Sequence, residues 1–145
     1  MNITSNREIK YQLALNNKVI DVDRIEWRKG KPYRAGYNDK ELGTTKWFYL
    51  NNDLGYTLRE FTGAIDTHGK DVYEGDILKI SARDRYDPKQ GTVIWNGKTF
   101  KFELVCRNPF YKDRIVTRSL FRGNAEYDII GNIYENSELH NKVRG

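Results

Sequence analysis

The chain has 145 residues, of which 38% are hydrophobic, and its mean hydropathy is -0.81. No apolar run approaches the roughly 20 residues that cross a bilayer, and the polar first ten residues predict no secretory signal peptide. A single cysteine, Cys106, excludes an internal disulfide framework and a zinc site built from several thiolates. We therefore expect a cytoplasmic protein.

The net charge of +5 is concentrated in two segments of the chain. Residues 24–34 hold five basic residues against one acidic residue, and residues 98–122 hold seven against two. Such segments permit an anionic partner without requiring one.

The N-terminal third of the chain predicts a layer of β-strands. Apolar and polar residues alternate over 9–15, which is typical of a half-buried strand, and Asn16-Asn17 predicts a turn into a second strand over 19–27. Residues 30–43 combine Gly, Pro, Asn and charge without periodicity, so they predict a mobile surface loop. The apolar run Trp47–Leu50 predicts a buried strand because it is too short for a helix.

Two turns are predicted in the middle of the chain. Asp66-Thr67-His68-Gly69 places Asp first and Gly last, which is the type I preference, and leaves His68 in solvent. Glu74-Gly75-Asp76 predicts a second reversal that leads into a β-branched strand over 77–80.

Asn96-Gly97 is the strongest local signal, because both residues accept the positive φ of a type I′ hairpin turn. A two-residue turn sets Trp95 opposite Lys98 and Val93 opposite Phe100. In that register the core face carries Val93, Trp95, Phe100, Phe102 and Leu104, and the solvent face carries Thr92, Thr99, Lys101 and Glu103.

The remaining segments complete a mainly β chain. Residues 115–117 and 120–121 are short extended candidates, 127–134 predicts a last strand, and Asn136 or Ser137 is expected to cap one closing helical turn through Leu139. Short strands with tight turns favour an SH3-like small barrel, that is, a rolled antiparallel sheet. We predict an N-terminal β layer over residues 1–52, including the loop 30–43, and a barrel region with a C-terminal tail over 53–145.

Several stretches of the chain are similar to one known family. They are Arg7-Glu8-Ile9-Lys10-Tyr11, Phe61-Thr62-Gly63, the run from Asp66 to Ile77 (DTHGKDVYEGDI) and the run from Ile130 to Leu139 (IGNIYENSEL). In these stretches the chain resembles the YopX-like proteins of bacteriophages and prophages. The resemblance implies a phage or prophage origin and an SH3-like barrel region, and it implies no catalytic residues.

The residues themselves predict no catalytic set, no cofactor and no metal site. Glu74 and Asp76 lie two apart, about 6.5–7 Å in an extended chain, which leaves a metal-assisted hydrolase as an alternative. A turn stabilised by Asp76 is the favoured interpretation. His68 and His140 have no partner in the sequence that would orient them, and Cys106 has no neighbouring histidine.

We therefore expect a non-enzymatic module that binds a protein partner or further copies of itself, with no small-molecule substrate identified. Nucleic-acid binding is an alternative, because basic residues interleaved with aromatic ones suit phosphate contact and base stacking. The candidate contact residues for either partner are Arg107, Phe110, Tyr111, Lys112, Arg114 and Arg118, together with Arg28 and Lys29.

Overall fold

The computed structural model describes residues 8–50, 54–81, 88–107, 114–121 and 126–139. Within these ranges the chain forms strands and one short helical turn. The strands are β1 (Tyr11–Leu15), β2 (Lys18–Val22), β3 (Arg24–Arg28), β4 (Lys31–Asp39), β5 (Thr44–Tyr49), β6 (Thr57–Ile65), β7 (Asp71–Tyr73), β8 (Asp76–Ile80), β9 (Gln90–Asn96), β10 (Lys101–Arg107), β11 (Ile115–Ser119) and β12 (Tyr127–Asn132). In the same ranges, no helix has the length and apolar composition needed to cross a bilayer.

The chain divides into two compact units, Met1–Glu60 and Phe61–Gly145. The division falls inside β6, whose first residues pair with β1 and whose later residues pair with β7. The boundary drawn from the sequence, after residue 52, precedes this strand.

The first unit contains the predicted strand over 9–15 as β1, which pairs antiparallel with β2. Asn16 lies in the turn between them with φ 47°, a left-handed value that asparagine tolerates. The predicted second strand, 19–27, is in fact two strands that part at Asp23: β2 pairs with β1, whereas β3 pairs with β4.

The predicted loop over 30–43 is wrong for most of its length. Residues 31–39 form β4, the middle strand of a sheet in the order β3-β4-β5. Pro32 lies near the start of the strand, where a missing N–H is tolerated. Gly36 is needed because β5 passes so close that a Cβ would lie 2.3 Å from the Lys46 carbonyl oxygen. These two residues therefore fit a strand, although their types suggested a loop.

The second unit contains an antiparallel sheet in the order β11-β10-β9-β8-β12. The hydrophobic core of this unit contains Val72, Leu78, Ile80, Val93, Phe102, Leu104, Cys106, Leu120 and Tyr127. The prediction of a mainly β chain with a rolled antiparallel sheet is confirmed, and the sheet has a curled, half-barrel form. The closing helical turn is also confirmed, at residues 137–139.

The hairpin at Asn96 is confirmed in place but not in register. Val93 pairs with Leu104 rather than with Phe100, and Trp95 pairs with Phe102 rather than with Lys98. The Asn96 side chain accepts the Lys98 N–H, and the Asn96 carbonyl accepts the Phe100 N–H, so a longer turn closes over 97–100. Phe100 takes the left-handed conformation of this turn, with φ 54°.

The observed burial corrects the predicted core and solvent faces. Phe102 is buried as predicted, but the side chains of Trp95 and Phe100 are 47% and 77% exposed. Thr92 and Glu103, predicted to face solvent, are buried. The Glu103 carboxylate accepts a hydrogen bond from the Asn96 amide, which helps to compensate for its removal from water.

Candidate binding face and aspartate turn

One face of the β3-β4-β5 sheet collects arginine and aromatic side chains. In the antiparallel register Glu26 lies opposite Arg34, and Arg34 lies opposite Tyr49. Residues directly opposite each other share a face of the sheet. We call this surface the arginine–aromatic face, and it comprises Glu26, Arg28, Arg34, Trp47 and Tyr49. Tyr33 joins them because it lies where the β3–β4 register shifts, and it contacts Arg28 and Tyr49.

Guanidinium groups lie over aromatic rings throughout the arginine–aromatic face. The Arg34 guanidinium carbon is 3.9 Å from the centre of the Trp47 ring, and the Arg28 guanidinium carbon is 3.6 Å from that of Tyr33. The Tyr33 and Tyr49 rings meet edge to face, with centroids 5.5 Å apart. Each cation–π pair of this kind contributes about 0.5–1 kcal/mol at an exposed site, so the side chains are held in place.

Glu26 links the two arginines. Its carboxylate accepts a hydrogen bond from Arg34 Nε and lies 3.2 Å from Arg28 Nη2. The hydrogen bond from Arg34, followed by that from Arg28, lowers the pKa of Glu26 against the opposing effect of burial. Arg24, on the adjacent part of β3, lies 3.6 Å from Asp23. Each of the three guanidinium groups thus has a carboxylate beside it, with Glu26 shared between Arg28 and Arg34.

The opposite face of the same sheet is apolar and supports the first. Ala35 is fully buried and lies opposite Phe48. The Phe48 ring stacks on Tyr37 at 6.4 Å and meets Tyr56 edge to face at 5.8 Å. The arginine–aromatic face is therefore supported by a packed apolar layer. Tyr49 and Arg28 nevertheless remain 41% and 58% exposed.

The sequence-predicted contact residues are distributed over both units. Arg28 belongs to the arginine–aromatic face, and Lys29 lies in the exposed turn after it with φ 52°. Arg107 and Arg118 lie on β10 and β11, where the register puts them on opposite faces of the pair, and Arg114 precedes β11. Phe110, Tyr111 and Lys112 lie outside the described residues.

Most of the arginine–aromatic face was missed from the sequence. Arg28 was identified from its basic segment, but Tyr33, Arg34, Trp47 and Tyr49 were not. A readable signal was present in residues 34–38, where Arg, Gly and Asn alternate with Ala and Tyr. The proline and glycines of residues 30–43 suggested a loop instead.

The predicted turn at Asp66 is confirmed, and its side chain organises the second unit locally. The Asp66 side chain is only 1% exposed. One of its oxygens accepts the N–H groups of His68 and Lys70, and the other accepts the N–H of Ile129 on β12. Burial alone would raise the pKa of Asp66, but these three hydrogen bonds outweigh it and hold the pKa below its usual value.

The interpretation of His68 as a histidine without a partner is wrong. Its Nδ1 lies 3.3 Å from an Asp128 oxygen and 4.0 Å from an Asp66 oxygen. The Thr67 hydroxyl donates a hydrogen bond to Asp128, and the Thr67 N–H donates to the Tyr127 carbonyl at 2.9 Å. Asp128 is distant in sequence and reaches the turn because it lies on β12, next to Tyr127. No local sequence pattern could therefore reveal this cluster.

Comparison with known proteins places both regions within one family. The family described as "YopX protein" matches residues 13–140, which is most of the chain. The chain belongs to the YopX family. The resemblance noted in the sequence is therefore confirmed, and the match spans both the arginine–aromatic face and the aspartate turn.

A solved structure shares the fold of this YopX-family chain. It is protein EF1440 from Enterococcus faecalis, which is 19% identical, with a TM-score of 0.51; the alignment covers 92% of this chain and 99% of that one. At this identity the likeness concerns the fold alone. No match was found among curated proteins.

The Glu74-Gly75-Asp76 segment forms the predicted reversal, between β7 and β8. Gly75 has φ 87°, and the buried Asp76 carboxylate accepts the Tyr73 N–H at 2.8 Å. This contact agrees with the favoured interpretation that Asp76 stabilises the turn. Within the described residues the group of three potential metal ligands is Asp66, His68 and Asp128, and it includes neither Glu74 nor Asp76.

Cys106 lies inside the core of the second unit, and we expect it to be unreactive in the folded YopX-family chain. Burial raises the pKa of its thiol to about 11, against a smaller lowering effect of Arg118. Because the thiolate is the reactive species, an aromatic disulfide reagent at pH 8 should modify Cys106 far more slowly in the native protein than in urea. Comparable rates in the two states, measured by absorbance, would contradict the burial described here.

Proposed function

We propose that this YopX-family chain is a phage- or prophage-encoded, non-enzymatic binding module that acts in the cytoplasm of its bacterial host. Its partner is a protein, and the arginine–aromatic face is the docking surface. Tyr, Trp and Arg are the residues that most often dominate protein–protein binding energy, because they offer large contact areas and several hydrogen bonds. The single observation that supports the proposal best is the convergence of these three residue types on one supported sheet face.

Preorganisation of the arginine–aromatic face strengthens the proposal. Binding costs free energy when flexible side chains are immobilised, about 0.5–1.5 kcal/mol for each. Arg34 already contacts Glu26, Trp47 and Tyr49, since its Nη1 also donates to the Tyr49 hydroxyl at 3.4 Å. A partner that docks here would order few further side chains.

A protein partner fits the electrostatics of this face better than a nucleic acid does. Nucleic-acid binding draws most of its affinity from cations that neutralise phosphates. Arg24, Arg28 and Arg34 each have a carboxylate within 3.6 Å, so phosphate contacts would compete with Asp23 and Glu26.

The proposal is tested by comparing wild type with Tyr49→Ala. Immobilised full-length chains are exposed to bacterial lysate, bound proteins are quantified by mass spectrometry, and self-association is measured by sedimentation velocity. Loss of an anchor residue that contributes about 2 kcal/mol to the binding free energy corresponds to a roughly 30-fold weaker complex. We therefore expect Tyr49→Ala to abolish the enrichment of one specific protein, or the dimerisation of the chain itself.

Leu42→Ala is the matched control, because Leu42 is a 73% exposed apolar residue in the β4–β5 turn, outside the arginine–aromatic face. It should bind like wild type. A strict monomer that captures no protein in a Tyr49-dependent manner would overturn the proposal. Binding of a labelled single-stranded oligonucleotide that falls steeply with salt, and that is lost on reversing Arg114 and Arg118 to glutamate, would instead favour nucleic acid.

A further inference from the structure

The aspartate turn and β12 bring together three side chains that ligate metals in proteins. One His68 nitrogen and one oxygen each from Asp66 and Asp128 all lie within 4.8 Å of one another. We propose that Asp66, His68 and Asp128 form a binding site for a divalent transition-metal ion such as Zn²⁺. The proposal is independent of the arginine–aromatic face.

The two separations from His68 fit a single ion. Bonds from Zn²⁺ to nitrogen and carboxylate oxygen are about 2.0–2.2 Å long, so two ligands of one ion lie about 3–4 Å apart. His68 Nδ1 lies 3.3 Å from Asp128 Oδ1 and 4.0 Å from Asp66 Oδ2. The His68 side chain is 70% exposed, so a small rotation can bring it to bonding distance.

The two carboxylates are already positioned by the fold. Asp66 is fixed by three backbone N–H groups, but its Oδ2 receives only the Ile129 N–H and retains a second lone pair. Asp128 is oriented by the Thr67 hydroxyl. A metal ion would thus bind two oxygens that are already in place. The protein would therefore lose little conformational entropy on binding.

The balance of burial also suits a metal site. The Asp66 side chain is 1% exposed, that of Asp128 is 38% exposed and that of His68 is 70% exposed. The protein would hold the ion from one side, and water would complete its coordination from the other. Three protein ligands with an open position are the usual arrangement of an accessible zinc site.

The ligand types select the class of ion. Imidazole nitrogen is a good ligand for Zn²⁺, Ni²⁺ and Cu²⁺, whereas Mg²⁺ and Ca²⁺ prefer sites made only of oxygen. One histidine with two carboxylates therefore favours a transition metal. A direct contact between His68 and Asp128 would explain the same short distance without a metal, and the experiment separates the two explanations.

Zn²⁺ binding is measured by isothermal titration calorimetry on the full-length chain at neutral pH. Co²⁺ serves as a second probe, because its visible absorption reports imidazole and carboxylate coordination. We expect one ion per chain, a zinc-dependent rise in melting temperature because the ion binds the folded state, and at least tenfold weaker binding in His68→Gln and in Asp128→Asn.

Two variants serve as controls. His140→Gln removes the other of the two histidines in the chain, and Glu126→Gln removes one negative charge beside Asp128. Both should bind Zn²⁺ like wild type. Absence of saturable Zn²⁺ binding would overturn the proposal, as would equal weakening by His68→Gln and His140→Gln.

Discussion

Replacing Asp66 with alanine is expected to lower the free energy of unfolding by about 3 kcal/mol or more. The change removes a buried acceptor from the N–H groups of His68, Lys70 and Ile129. Leaving a buried donor unsatisfied costs about 1–3 kcal/mol, and hydrogen bonds to charged groups are at the upper end of their range. Urea unfolding followed by circular dichroism gives the difference between the variant and wild type.

Asp66→Asn is the companion variant, because one amide oxygen can replace only part of the carboxylate. It should fall between wild type and Asp66→Ala. A loss below about 1 kcal/mol in Asp66→Ala would show that the turn does not depend on this carboxylate.

The same carboxylate predicts a pH dependence. The pKa of Asp66 is lower in the folded chain than its ordinary value of 3.8. Its contribution to stability is therefore fully present above pH 3.8 and is lost as the pH falls below that value towards the folded pKa. The acid limb of the wild-type stability curve should be steeper than that of Asp66→Ala, and parallel limbs would contradict this assignment.

Replacing Gly36 with alanine is expected to be the most damaging small substitution in the first unit. The added Cβ would lie 2.3 Å from the Lys46 carbonyl oxygen and 3.2 Å from the Trp47 ring. The first contact is with backbone, so β5 must move away from β4 and their hydrogen bonds must lengthen. We expect a loss of about 2–4 kcal/mol, the upper range for overpacking, measured by urea unfolding.

Gly97→Ala makes the same chemical change at a position where an added Cβ meets nothing within 4 Å. It should alter stability by no more than about 0.5 kcal/mol. Because Gly36 lies directly opposite Trp47 and two residues after Arg34, Gly36→Ala should also weaken partner binding. Equal stability of the two variants would contradict the close approach of β5 to β4.

A binding role and a metal site would occupy separate compact units of the chain. The arginine–aromatic face belongs to Met1–Glu60, and the aspartate turn belongs to Phe61–Gly145. Tyr49→Ala should therefore leave Zn²⁺ affinity unchanged, and His68→Gln should leave partner capture unchanged. Each result can fail without affecting the other, because the two sites have no residue in common.

Local chemistry in the sequence determined the β class, several turns and the family. The alternation over 9–15, the Asp66 turn and the reversal at Gly75 were predicted correctly, because each depends on the backbone preferences of a few consecutive residues. Pairing between segments was not determined in this way. The β4 strand, the register of Val93 with Leu104 and the approach of Asp128 to His68 depend on which distant strand supplies hydrogen-bond partners and burial. These features were decided by the tertiary structure, since competing local turns differ by little free energy and long-range packing selects among them.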